Sequence, residues 1–212
     1  MAARRPHLRT RFLAVSLLAI GLVFGCDEAG GEVAIGDTGY TKAASGNAPT
    51  YMTALPNSTG IHTTGSLMLA FSPDGQLSWK VTIPRGAVIS PVAASPNSRI
   101  YVRTATHLLA YSPEGDLLWE VDGVPPTPGA DARVCTPVAL ADSSVALVTN
   151  EHKVCAFDTD GSPKWTVTLP DGPVVAPLVP FGNGQVTAET VGKLHMISPD
   201  GKILWSRKLS RI

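Results

Sequence analysis

The chain has 212 residues with 17 basic and 17 acidic side chains, and only 16% of its residues are charged. This balance gives no electrostatic reason to expect a nucleic-acid partner, which requires a basic face. The 20 glycines and 18 prolines favour many short strands and tight turns.

The first 26 residues predict an export signal rather than a part of the folded body. Four arginines at positions 4, 5, 9 and 11 precede an apolar stretch over residues 12–25, which is short for a membrane span. The stretch ends in the sequence LVFGC at Cys26, which resembles a bacterial lipoprotein signal, although Phe24 stands where a small residue is usual. The resemblance implies that residues 1–25 are removed and that Cys26 is lipidated. An ordinary secretory signal with an incidental cysteine is the alternative.

Residues 26–47 are polar and rich in glycine, which predicts a flexible tether between the lipid and the folded body. Removal of the signal leaves 13 basic against 17 acidic residues, so the mature protein is mildly acidic. Residues 48–212 are enough for one domain with a sizeable core.

Four repeated units fill this domain. Every tryptophan of the chain follows a turn glycine by four positions, and a proline opens each unit. Self-similarity at about forty residues indicates an array of identical supersecondary units. The predicted repeats span about residues 48–86, 87–132, 133–172 and 173–212. The glycine and tryptophan pairs are Gly75 and Trp79, Gly115 and Trp119, Gly161 and Trp165, and Gly201 and Trp205.

Each unit contains four short apolar runs separated by turn residues, at the spacing expected for antiparallel strands. The predicted fold is therefore all-β: a β-propeller of four four-stranded antiparallel blades. No part of the body has a 3.6-residue apolar period, which excludes helical repeats. One large indole per unit, always at the same place, is predicted to pack between neighbouring sheets.

The segments that end in tryptophan resemble the tryptophan-docking motif of the PQQ-like (quinoprotein-type) β-propeller repeats. That family includes quinoprotein alcohol dehydrogenases and the BamB lipoprotein, and the resemblance covers about residues 48–212. Three features depart from it: the turn is one residue tighter, Met196 replaces an alanine, and four units stand where the family closes a ring of seven or eight. Four blades leave three arrangements open: a small closed propeller, an open arc, or half of an eight-blade ring that a second chain completes. We expect the ends of the array to be covered by a partner or by strong curvature.

Residues capable of chemistry form no recognisable catalytic or metal-binding pattern. The histidines fall at unmatched repeat positions and are interpreted as scattered strand-edge residues. The recurring acidic residues occupy turn positions that favour aspartate for backbone reasons. Cys135 and Cys155 are placed in strands two apart, about 9.6 Å from each other, which is beyond the reach of a disulfide. Both are predicted to be buried free thiols.

No cofactor is predicted. In the quinoprotein enzymes, the resemblance implies, PQQ lies over a pair of adjacent cysteines with a calcium ion and an aspartate base. This chain has no adjacent cysteines, and all its tryptophans occupy the repeat position. One irregularity is an insertion of six residues in the proline-rich segment 124–132, which is a candidate partner contact or a neutral surface loop.

The sequence thus predicts a lipid-anchored protein of the bacterial cell envelope, facing the periplasm or the surface, that binds another envelope protein without catalysis. A remnant or subunit of a quinoprotein-type oxidoreductase is one alternative. An envelope glycan-binding module is another, although the four tyrosines show no cluster by spacing.

Overall fold

The computed structural model describes residues 48–149 and 152–209. All of them belong to the second of two units of the chain, residues 46–212. The predicted signal segment, Cys26 and the predicted tether lie outside the described residues. Within the described ranges, no helix has the length and apolar character needed to cross a membrane.

Sixteen strands form four antiparallel sheets, and in each sheet four strands that are consecutive in the chain lie side by side. We call the sheets blades 1 to 4. Blades 1 and 2 comprise β1 (Thr50–Ala54), β2 (Gly60–Thr64), β3 (Leu67–Phe71), β4 (Leu77–Thr82), β5 (Ala93–Ala94), β6 (Ile100–Arg103), β7 (Leu108–Tyr111) and β8 (Leu117–Val121). Blades 3 and 4 comprise β9 (Val138–Ala139), β10 (Val145–Thr149), β11 (Lys153–Phe157), β12 (Pro163–Thr168), β13 (Val179–Pro180), β14 (Val186–Thr190), β15 (Lys193–Ile197) and β16 (Ile203–Lys208).

The last hairpin of every blade is built in the same way. Its turn glycine has a positive φ, such as 83° at Gly75 and 91° at Gly115, which glycine adopts without steric cost. Directly before the turn the strand register shifts by one residue in all four blades, as in a three-residue hairpin with a bulge. The shift pairs Trp79 with Ala70 across the two strands. It therefore gives each tryptophan the same direction in its blade.

The hydrophobic core lies between the blades. Three clusters of buried aliphatic and aromatic side chains fill the spaces between blades 1 and 2, 2 and 3, and 3 and 4. Middle strands such as β6 and β10 are buried along their whole length because they have a neighbouring blade on both faces. The innermost strands β1, β5, β9 and β13 follow one another around the axis. This is a propeller arrangement whose ring is not closed.

Candidate functional site

Four equivalent turns meet at one end of the innermost strands and surround an open cleft of about 360 Å³. Each turn joins the first strand of its blade to the second. The tips of the turns are Pro56, Pro96, Ala141 and Gly182. Their side chains are short and apolar, so the backbone of the turns forms much of the surface.

A shared set of hydrogen bonds fixes these turns. In blade 1, the N–H of Ser58 donates to the carbonyl of Leu55 at 3.0 Å. In blade 4, the N–H of Gly184 donates to the carbonyl of Phe181 at 2.9 Å. The residue that closes each turn has a positive φ, and in three blades it is a serine rather than a glycine: Ser58, Ser98 and Ser143, with φ of 67°, 62° and 65°.

Serine is not favoured in this left-handed region, which costs roughly 1 kcal/mol or more for a residue with a Cβ atom. In two of these serine turns the preceding residue accepts a hydrogen bond from the backbone two positions ahead: Asn57 from the N–H of Thr59 at 3.2 Å, and Asp142 from that of Ser144 at 3.0 Å. Asn183 does the same before Gly184, whereas Asn97 accepts from the hydroxyl of Ser95. The turns are thus rigid supports for the cleft.

The opposite end of the innermost strands carries the proline-rich insertion. Its two ends are held by Arg103, which donates from Nη1 to the carbonyl of Cys135 at 2.9 Å and from Nη2 to that of Val124 at 3.1 Å. Arg103 is fully buried, and burial lowers its pKa to about 10, so the side chain remains charged at neutral pH. Inside the segment, Thr127 donates from its hydroxyl to the carbonyl of Thr149 at 3.2 Å. The insertion is therefore anchored between the blades.

The first three tryptophans pack against the turn glycine of the following blade, not against the glycine of their own hairpin. A Cβ atom on Gly115 would lie 2.9 Å from the indole of Trp79, which leaves room only for glycine. The indole N–H of Trp79 also donates to the carbonyl of Pro113 in the same turn, at 2.8 Å. The three contacts join Trp79 to Gly115, Trp119 to Gly161, and Trp165 to Gly201.

The fourth tryptophan and the first turn glycine differ from the others. Trp205 is 36% exposed. Nothing lies within 4 Å of a Cβ atom placed on Gly75. Among the described residues, Trp205 of blade 4 therefore contacts no turn glycine, and Gly75 of blade 1 contacts no indole.

Both cysteines of the described body are free thiols. Cys135 is buried, but it lies in the turn before β9 rather than at the start of the first strand of its blade as predicted. Burial raises the pKa of its thiol against the lowering effect of Arg103. Cys155 lies in β11 and is half-buried, not fully buried as predicted, and its sulfur accepts a hydrogen bond from the hydroxyl of Thr166 at 3.5 Å.

His195 corrects the interpretation of the histidines as strand-edge residues. It lies in the middle of β15 and is fully buried. Its Nδ1 is 2.8 Å from the hydroxyl of Ser206, and its Nε2 is 2.9 Å from that of Thr190 and 3.6 Å from Asp171. Asp171 forms a shorter ion pair, of 2.6 Å, with Lys193. Because both ring nitrogens have hydroxyl partners inside the blade, the arrangement fits a buried structural histidine better than a catalytic serine–histidine–aspartate set.

Burial lowers the pKa of His195, Asp171 raises it in part, and Lys193 lowers it further. An unfolded histidine titrates near pH 6.5. The unfolded state therefore binds more protons just below that pH, and stability falls as the pH falls through this window.

We expect a lower free energy of unfolding in urea at pH 5.0 than at pH 7.5, and a smaller difference in His195→Gln. His107→Gln, which alters a histidine outside this network, is measured alongside it as the control for the substitution itself. An unchanged pH dependence in His195→Gln would contradict the assignment. His62, whose pKa is also lowered by burial, accounts for part of any residual effect.

The recurring acidic residues stay within their turns. A hydrogen bond from Ser72 lowers the pKa of Asp74, and hydrogen bonds from Ser162 lower that of Asp160. Across residues 48–149 and 152–209, no three histidine, cysteine or acidic side chains come together as a metal site.

Comparison with known families bears on the repeat as a whole. The family described as outer membrane protein assembly factor BamB matches residues 64–211 of the chain. The chain belongs to the BamB family. The resemblance drawn from the tryptophan motif and the prediction of an all-β propeller are thereby confirmed.

Solved structures share this fold. BamB from Moraxella catarrhalis is 18% identical, with a TM-score of 0.58, over 73% of this chain and 50% of that one. Virginiamycin B lyase from Staphylococcus aureus is 13% identical, with a TM-score of 0.60, over 76% of this chain and 56% of that one. A streptogramin B lyase is 11% identical, with a TM-score of 0.59, over 76% of this chain and 54% of that one. This BamB-family chain thus spans about half the length of these structures. No curated protein matches its sequence.

Sequence reasoning missed the cleft of this family member because it followed only the tryptophan hairpins. The signal was available: Pro56-Asn57-Ser58, Pro96-Asn97-Ser98 and Ala141-Asp142-Ser143 recur with a similar offset in their units. Their meeting at one end of the axis depends on the packing of the blades, which no local pattern reveals.

Proposed function

We propose that this protein is a lipid-anchored scaffold of the bacterial cell envelope, which binds an extended segment of another envelope protein without catalysing a reaction. The proposal rests on the cleft formed by the four inner turns. The BamB family membership supports a propeller scaffold and an envelope location.

The chemistry of the cleft favours a peptide over a small polar ligand. Its lining is mostly proline, alanine and other apolar side chains, supplemented by the backbone of the turns. Apolar side chains of an extended segment can pack on this surface, since the turns are already rigid and lose little entropy on binding.

The lipid anchor is proposed from the sequence of the export signal. Cys26 follows an apolar stretch of the length typical of a signal segment. Replacement of Cys26 by alanine is expected to move the protein from the membrane fraction to the soluble fraction of the envelope. A Cys26→Ala protein that stays with the membrane would contradict the anchor.

The binding site is tested by photo-cross-linking in cells. The photoreactive amino acid p-benzoylphenylalanine is introduced at Pro96 or Ala141, at the cleft, and at Glu114 or Asp116, in an outer hairpin, as matched exposed controls. Discrete protein adducts are expected from the cleft positions and not from the hairpin positions. Equal adducts from both sets, or none from the cleft, would remove the support for this site.

The oxidoreductase alternative has its own test. Purified protein is titrated with PQQ and the absorbance of the quinone is followed. The scaffold proposal expects no spectral shift, and saturable tight binding would overturn it.

A further inference from the structure

Each end of the four-blade array carries one side of the tryptophan–glycine contact: Trp205 in blade 4 and Gly75 in blade 1. We propose that blade 4 of one copy docks on blade 1 of a second copy, with Trp205 against Gly75, so that two copies close one ring of eight blades. The inference does not depend on which partner occupies the cleft.

The outward face of blade 4 has the residues of a blade interface but no neighbour among the described blades. Val179, Phe181, Trp205 and Leu209 are 52%, 43%, 36% and 38% exposed. The blade 3 equivalents of Phe181, Trp205 and Leu209 are Leu140, Trp165 and Leu169. These are only 2%, 9% and 2% exposed, because blade 4 covers them. Large apolar side chains that are exposed together on one face mark an interaction surface.

Blade 1 offers the matching acceptor. The hairpin at Gly75 has the same serine, proline, acidic residue and glycine in its turn, and the same register shift, as the hairpins that receive Trp79 and Trp165, yet the space over its glycine is open. Gly75 is exposed, whereas Gly115 is buried by the indole of Trp79. The carbonyl of Pro73 stands where Pro113 accepts the indole N–H of Trp79. Trp205 can therefore repeat the indole–glycine contact that occurs three times among the described blades, and with it the indole N–H bond that Trp79 and Trp119 make.

Charged side chains lie on both faces, with Glu189 and Arg207 on blade 4 and Lys80 on blade 1. Glu189 occupies, on the outward face of blade 4, the position that Arg103 occupies in blade 2. Arg103 faces blade 3, in which Cys155 lies near it. The residue equivalent to Cys155 in blade 1 is Leu69, whose cross-strand neighbours are His62 and Lys80.

In the docked pair, the carboxylate of Glu189 would thus lie near Leu69 and its cross-strand neighbours His62 and Lys80. Neither Glu189 nor Lys80 has an ion-pair partner among the described residues, and the Nδ1 of His62 is buried there without a hydrogen bond. Glu189 of a second copy would supply a partner for Lys80. The long side chain of Arg207, which lies where blade 3 has the buried Val167, would extend to the edge of the contact.

The curvature of the array fits closure by two copies. Four blades superpose on half of the BamB chain from Moraxella catarrhalis. In a ring of about eight blades, four blades turn through roughly half a circle, so a two-fold axis along the ring brings both ends of one copy to both ends of the other. The contact then forms twice, and no apolar face remains open.

The direct test is disulfide trapping between two different single variants of the full chain in detergent. In the Trp165 contact, a Cβ atom on Gly201 would lie 2.6 Å from the Cβ of Trp165, so cysteines at these places are within bonding range after a small shift. Trp205→Cys and Gly75→Cys proteins are mixed and oxidised mildly. We expect a cross-linked pair from the mixture and none from either variant alone. Absence of the pair in the mixture would overturn the proposal, as would an intramolecular disulfide in the Trp205→Cys, Gly75→Cys double variant without any cross-linked pair.

A second measurement avoids the strain of a cysteine at a positive φ. The mass of the unmodified chain, corrected for lipid and detergent, is expected to be twice that of one copy. Trp205→Ala and Gly75→Asn should each raise the dissociation constant at least about tenfold, since each removes one side of the repeated indole contact. Gly86→Asn, at another open glycine of positive φ, is the matched control and should leave it unchanged. A single-copy mass at micromolar concentration, or a Trp205→Ala protein that pairs as well as the parent, would contradict the eight-blade ring.

Discussion

Replacing Trp165 by alanine is expected to destabilise the protein by about 3–5 kcal/mol, the usual range for emptying a buried tryptophan site. The indole of Trp165 belongs to the apolar cluster between blades 3 and 4 and lies against Gly201. The rigid backbone of the Gly201 turn cannot move in to fill the space, so the cavity persists. The free energy of unfolding in urea, measured by fluorescence of the remaining tryptophans, gives the effect.

Trp205→Ala is the matched control for this substitution. It removes the same side chain from the same hairpin position, but no described blade covers the indole. At a protein concentration where the chain is a single copy, the expected loss is below about 1 kcal/mol. Equal losses for Trp165→Ala and Trp205→Ala would show that burial between blades is not what makes Trp165 important.

The second large effect is expected for Gly115→Ala, with a loss of about 2–5 kcal/mol. Two costs combine at this position. A residue with a Cβ atom is strained at a φ of 91°, by roughly 1–2 kcal/mol. The new methyl group would also lie 2.9 Å from the rigid indole of Trp79, and such overpacking costs roughly 1–3 kcal/mol.

Gly75→Ala separates these two costs. Its φ of 83° imposes a similar backbone strain, but its methyl group would meet nothing within 4 Å. In the single-copy state we expect only the smaller loss of roughly 1–2 kcal/mol. Thermal and urea unfolding of both variants measure the difference, and equal losses would mean that the contact with Trp79 adds nothing.

The regular spacing of glycine and tryptophan was enough to predict the blades, because each blade is built from local hairpins whose turn residues have strict backbone requirements. The direction of the docking contact was not predictable in the same way. Gly115 and Trp119 are close in sequence, yet Gly115 meets Trp79 of the preceding blade. Contacts of this kind depend on how one sheet lies on the next.

The interior polar groups were harder still to predict. Arg103 looks like an ordinary charged strand residue, but the insertion between Val124 and Cys135 folds over it and provides two carbonyl acceptors. His195 is buried because Thr190 and Ser206 satisfy both ring nitrogens. The acceptors of Arg103 come close only when the insertion folds over blade 2, whereas the partners of His195 lie on the two neighbouring strands of its own blade.

The indole contact joins only adjacent blades, and this has a consequence for how such chains can change in length. Duplication or deletion of one complete unit of about forty residues would leave every tryptophan before the last unit with a glycine of the same kind to meet. Insertion of a fraction of a unit would not. Members of this architecture can therefore diverge in size by whole units, while the geometry of each junction is inherited unchanged.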